Sequence, residues 1–284
     1  MKIAMFSGAL IEYSIHEALQ IAQRIGVDGL EIAGNEPHFS PTTSSLRIKE
    51  IKRLADNLGL AIPAIGGYAG RFSELGDADC EREFENIRRM LPKAAELGAS
   101  LFRVQTGGPN GFLAQEYHYQ KSAHFIDRCA EEAQQYNIRI ALEIHNQSII
   151  ETTDDCSRLL KLIKRDNVGF IHDAGNMYIT DTDYGRDSVL RLGSRLFHVH
   201  VKDELRIPEA GDPGTFTNLT RHGQEAFVQC RLGDGGVDHQ PLFAALEETG
   251  YDGWVTLECF APYPIEERFR HDFKEVRSLL ASKS

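Results

Sequence analysis

Several features that mark other protein classes are scarce or missing here. Cysteine is sparse: Cys80, Cys129, Cys156, Cys230 and Cys259 in 284 residues. Their number is odd, their spacing wide, and no CxxC pair occurs. That argues against a disulfide framework or zinc knuckle and for reduced thiols in a cytoplasmic protein. Long apolar runs are lacking too, so no segment is expected to span a membrane, which takes about eighteen or more such residues. Positive charge is in deficit, with 31 Lys and Arg against 42 Asp and Glu and a net charge of −11. This disfavours nucleic acid and anionic membranes as partners. No GxGxxG or GxxxxGK[ST] follows an apolar run, which removes the usual dinucleotide and P-loop signatures. There is no linker, low-complexity tract or sequence repeat. The opening "MKIAMFSGAL" is mildly apolar but soon reaches Glu12, and it reads as a first β-strand rather than a signal peptide.

What is present is an alternation. Apolar runs of strand length are separated by segments with helical spacing, such as Ile15, Ala18, Leu19, Ala22 and Ile25. The strands read as 2–6, 29–33, 60–65, 101–105, 139–145, 168–173, 195–201 and 253–258. The helices fall near 14–25, 44–58, 80–97, 115–136, 154–164, 184–192, 239–249 and 265–281. Gly26, Gly59, Gly98 and Gly250 stand where helices end, just before the next strand. Strands apolar on both faces belong to a covered parallel sheet. Eight such units predict a (β/α)8 TIM barrel in a single domain spanning 1–284, with a doubly wound open sheet as the alternative. One connection, at about 203–238, is out of proportion and predicts a lid-like loop.

In such barrels the active site lies at the C-terminal strand ends. Those ends carry Glu143, His145 and Asn146; His172 and Asp173; His198, His200 and Lys202; and Glu258. Strand four adds Arg103 and Gln105, and the loop after strand two adds Glu36 and His38. A lone Glu at a strand end is ordinarily a solvated cap, and His172 and His198 read as packing. The coincidence across four successive strands is what points to a shared metal site. Carboxylates with an imidazole suit Mn²⁺, Mg²⁺ or Co²⁺ better than structural zinc. Trp254, Phe6, Tyr68 and Phe102 are aromatic candidates for pocket or core.

The runs "EPHFSP", "ALEIHN", "VGFIHDAGN", "HVHVKDELR" and "LGDGGVDHQPLFAALEETGYDGWVTLE" occur in this order along nearly the whole chain. In this the chain resembles the sugar phosphate isomerase/epimerase superfamily, the xylose isomerase-like TIM barrels. Ketose 3-epimerases and inosose isomerases and dehydratases are among its members. The resemblance implies one divalent metal, Mn²⁺ first, with Mg²⁺, Co²⁺ or Zn²⁺ as alternatives. It implies Glu143, Asp173, His200 and Glu258 as ligands. Glu143 and Glu258 would be the catalytic acid–base pair. The substrate-binding residues expected are His145, Lys202, Arg206, His38 and Asn176. Arg206 stands six positions beyond His200, as in the ketose 3-epimerases. Asn176 departs from them, since they carry a His there. The "VKD" after His200 is closer to the inositol-related branch. The endonuclease branch does not suit an acidic chain without a basic stripe.

The expected activity is isomerisation or epimerisation of a ketose or related polyol, by proton transfer next to a carbonyl through a metal-stabilised enediolate. A lyase or dehydratase on a keto-sugar or keto-inositol would use the same groups, and a non-catalytic sugar-binding barrel is the third reading. The partner expected is a small carbohydrate, with no nucleic acid and no membrane. Relatives often form dimers or tetramers, so a homo-oligomer is compatible.

Overall fold

The computed structural model describes residues 1–281. Its core is a closed barrel of parallel strands in the order β1 (Lys2–Phe6), β11 (Trp254–Leu257), β7 (Leu196–Val201), β6 (Val168–Asp173), β5 (Arg139–Glu143), β4 (Leu101–Arg103), β3 (Ala64–Gly67) and β2 (Gly29–Gly34). Closure comes from β1 lying between β11 and β2. This is the (β/α)8 TIM barrel.

The helices form the outer layer: α1 (Ile15–Ile25), α2 (Ser45–Asn57), α3 (Asp77–Leu97), α4 (Glu116–Gln134), α5 (Thr153–Leu160), α6 (Ala174–Ile179), α7 (Arg186–Leu192), α8 (Gln240–Glu248) and α9 (Ile265–Ala281). α1 shows why they form. Ser14 and Glu17 make a reciprocal cap at its start, and Gly26 closes it with φ of 94°. Between the caps, the residues at helical spacing are buried against the sheet. Most elements fall within a few residues of the expected spans. The third strand is displaced from 60–65 to Ala64–Gly67, beyond Pro63, whose ring nitrogen has no hydrogen to give a ladder. The short helix α6 was not anticipated; Asp173 caps it, its side chain accepting from the Asn176 amide.

The segment expected as a long loop carries three antiparallel strands, β8 (Asp203–Ile207), β9 (Thr215–Thr220) and β10 (Gly223–Cys230), in the order β8-β10-β9. Its alternating threonines and aromatics suit a pleated ladder, a signal that the surrounding Gly and Pro masked. Glu204 stands opposite Gln229, Arg206 opposite Phe227, and Phe227 opposite Phe216, so these five side chains share one face. All five cysteines are free thiols. Among the described residues, no helix is long and apolar enough to cross a membrane.

Candidate metal centre and substrate cavity

Adjacent strands β5, β6, β7 and β11 bring Glu143, Asp173, His200 and Glu258 to one end of the barrel. Register places His200 level with Asp173 on one side and with Thr256 on the other. Glu143 ends β5, Asp173 ends β6, and Glu258 follows β11. One donor atom from each of the four lies within 4.8 Å of all the others, and all four residues are buried. His200 Nδ1 is 3.0 Å from Glu143 Oε1 and 3.5 Å from Glu258 Oε2.

Two cations brace the carboxylates. Arg103 Nη1 donates to Glu143 Oε2 at 2.6 Å. Lys202 Nζ lies 3.3 Å from Glu258 Oε2 and 3.1 Å from Asp173 Oδ2. The second approach pairs charge but is misaligned for a hydrogen bond, and Asp173 Oδ2 is a buried oxygen without a hydrogen-bond partner. Burial pushes the Asp173 carboxyl up to about 8, against the pull of Lys202. Burial opposes ionisation of Glu143 and Glu258 as well. There the neighbouring cations win: Arg103 and His200 hold Glu143 well below the usual range, and Lys202 and His200 hold Glu258 at about 2. Three buried carboxylates and one imidazole, with one oxygen orphaned, fit a hard divalent cation.

Beneath this cluster lies a residue the sequence reading passed over. Glu31 of β2 is fully buried. Its Oε2 is 3.1 Å from His200 Nε2 and 3.0 Å from His198 Nε2, and His198 Nε2 also lies 2.8 Å from Thr256 Oγ1. His198 is therefore one layer deeper than His200, joined to it through Glu31. A proton on His200 Nε2, donated to Glu31, leaves Nδ1 facing the other three members of the cluster. A charged residue inside a strand that is otherwise apolar on both faces was the available signal.

The remaining candidates separate by position. Lys202, Asn176 and His145 line a cavity of about 270 Å³ next to Glu258. Asn176 also donates to the Ile144 carbonyl at 3.2 Å, and His145 Nδ1 is 2.6 Å from the Asn146 carbonyl oxygen. Tyr68, Arg103, Gln105 and His145 border both this cavity and a neighbouring one of about 530 Å³. His38 and Arg206 are not brought to the cluster. Both ring nitrogens of His38 are engaged, Nδ1 with Ser7 Oγ and Nε2 with the Tyr13 carbonyl, each at 2.9 Å. Arg206 is spent in ion pairs with Asp181 and Glu225 at 3.0 Å, its guanidinium over the Tyr178 and Phe227 rings. His172 faces Ser188 of α7, 2.9 Å away, and burial pushes its imidazole down to about 4. Asp203 accepts from the amides of Gly233, Gly235 and Val237 and shapes that loop. Trp254 begins β11 at the far end of the barrel, with Lys2 over its ring, whereas Phe6 stacks against His200.

Comparison with known proteins places this geometry in a family. The chain is 28% identical over 243 residues to the inosose dehydratase of Lactiplantibacillus plantarum, covering 82% of this chain and 77% of that one. It is 24% identical over 291 residues to the fructoselysine 3-epimerase of Escherichia coli O157:H7, covering 99% and 98%. Among solved structures, the IolI protein with a bound zinc atom superposes with a TM-score of 0.78 at 18% identity, covering 99% and 98%. Residues 19–279 match the model of the xylose isomerase-like TIM barrels, and the chain belongs to that family.

Proposed function

We propose that the protein is a divalent-metal-dependent isomerase or epimerase that moves a proton next to the carbonyl of a ketose or related polyol. The observation that carries this reading is the convergence of Glu143, Asp173, His200 and Glu258 from four adjacent strands, with Asp173 Oδ2 left without a hydrogen-bond partner. These four would hold the ion, with Mn²⁺ as our first choice. Bound there, it supplies Lewis acidity for charge that develops on a carbonyl oxygen when the neighbouring proton leaves.

The chain's own groups divide the remaining work. Glu143 and Glu258 come from the outer two of the four strands, so they flank the others from opposite sides. Arg103 keeps Glu143 ionised and Lys202 keeps Glu258 ionised. A base must begin unprotonated, so Glu143 would take the proton from one face of the carbon, while Glu258, first receiving a proton from the Lys202 ammonium 3.3 Å away, would deliver it to the other face. Lys202, His145 and Asn176 line the adjoining cavity and supply polar contacts for substrate hydroxyls.

The similarity to an inosose dehydratase favours a second reading, a lyase on a keto-sugar or keto-inositol. In it the Lys202 ammonium beside Glu258 would protonate a departing hydroxyl. Incubation of Mn²⁺-loaded protein with a panel of ketoses and keto-inositols in deuterated water separates the two. An isomerase product gains only the deuterium label at the exchanged carbon; a lyase product lacks water. Activity is expected to vanish on chelation and return with Mn²⁺. Glu258→Gln is expected to keep the fold and stop the exchange. Full exchange in Glu258→Gln contradicts the two-base scheme.

A further inference from the structure

The chemistry at the barrel mouth leaves one buried acid unexplained. Glu204, on β8, is 2% exposed, and its Oε2 has no hydrogen-bond partner. It is neither one of the four clustered ligands nor a cap or loop brace. It borders the cavity of about 270 Å³ that also holds Glu258, Lys202 and Asn176. Proteins seldom keep an orphaned buried acceptor unless a water, an ion or a ligand uses it. The small sheet contributes two more walls of this cavity, Gln229 directly across from Glu204 and the Phe216 ring, with Phe260 from beyond β11. An aromatic ring beside carboxyl and amide groups is what the alternating apolar and hydroxyl faces of a sugar require.

Charge selects among sugars. Both cations on this wall are engaged, Lys202 with Asp173 and Glu258, and Arg103 with Glu143. A phosphate or carboxylate would meet Glu204 with no free cation to hold it. An ammonium would approach Lys202. With a dication bound, Glu143, Asp173, Glu258 and Glu204, with Glu31 beneath them, face one guanidinium, one ammonium and the dication, so the filled site keeps no surplus positive charge to hold an anion.

We propose that the inward face of the β8–β10–β9 sheet is a distal subsite for a neutral, hydroxyl-bearing second unit of the substrate, with Glu204 and Gln229 taking its hydroxyls and Phe216 its apolar face. This deepens the reading of the barrel mouth as a carbonyl-processing metal site and rests on it. The substrate class is then a ketose or polyol extended by an uncharged glycosyl group rather than a sugar phosphate.

The test is calorimetric titration of Mn²⁺-loaded protein with D-fructose, D-fructose 6-phosphate and isomaltulose. Isomaltulose carries a neutral glucosyl unit where the phosphate sits. Isomaltulose is expected to bind about tenfold more tightly than either of the others, the worth of one or two buried hydrogen bonds. Glu204→Leu is expected to bring the isomaltulose-to-fructose ratio near one, Glu204→Gln to restore part of it, and Gln229→Leu to lower it independently. Preference for the phosphate, a ratio near one in wild type, or a ratio unmoved in Glu204→Leu overturns the subsite. So does binding of none of the three. Titration of the same proteins with Mn²⁺ alone keeps that failure distinct from failure of the metal centre, because Glu204 is not a ligand.

Discussion

Glu31 shows how one residue constrains a site it does not enter. With its carboxylate 3.1 Å from His200 Nε2, the imidazole is fixed with Nδ1 toward Glu143. Outer partners of this kind are worth roughly 10–100-fold in metal affinity. Glu31→Gln is therefore expected to weaken Mn²⁺ binding by about tenfold while the far-ultraviolet circular dichroism stays native; unchanged affinity would remove Glu31 from this role. Glu204 makes a prediction in pH. Burial raises its carboxyl from the ordinary 4.5 to about 7, with Glu258 and Asp203 adding to the rise and Lys202 opposing it. An acid whose folded pKa is raised favours the folded state below its unfolded pKa, and that contribution is lost as pH rises through the folded value. In metal-free protein, Glu204→Gln is expected to be more stable than wild type at pH 8, on the order of 2 kcal/mol, with the difference fading toward pH 4.5. Equal stability at pH 8, measured by urea denaturation, would contradict this. At this scale the convergence of polar residues at the ends of four successive strands was legible in the pattern, while the choice of Glu143, Asp173, His200 and Glu258 among them came from the family resemblance. Glu31 was not legible, since "GLEIA" reads as an apolar strand and nothing local says which chain segment crosses the barrel to meet it.

The small sheet is the element that the sequence reading described least well. Gly and Pro around its turns read as loop, and strand pairing with partners from 3 to 27 residues away leaves no local periodicity strong enough to outweigh them. Its inward face is fastened at two places. Arg206 forks onto Asp181 in the turn after α6 and reaches Glu225 on β10. Asn218 on β9 accepts from the side-chain amides of Asn146 and Gln147, which follow β5. The family resemblance implies a substrate-binding role for Arg206. The structure shows instead a guanidinium whose partners are protein carboxylates. The two roles separate experimentally. As a fastener, Arg206→Ala is expected to speed amide exchange across residues 215–230 a few-fold, the effect of an ion pair worth up to about 1 kcal/mol. Unchanged exchange together with a raised KM would return Arg206 to the substrate.

Across the whole molecule, the barrel explains why the candidate ligands meet at all. Parallel strands place all their C-terminal ends on one side, and closure between β1 and β11 turns a row of strand ends into a ring. The eight-fold alternation and the C-capping glycines made this legible in advance. The depth of each inward side chain was not, because it depends on strand register, which only the closed sheet sets. Register puts His200 level with Asp173, and the inward His198 one layer below it on the same strand. Titration of metal-free protein with Mn²⁺, in wild type and in His200→Ala, Asp173→Asn and His198→Ala, tests that arrangement most directly. Saturable binding of a single ion per chain is expected in wild type, lost in His200→Ala and Asp173→Asn and only weakened in His198→Ala. Wild-type binding that survives His200→Ala but is abolished by His198→Ala would contradict it.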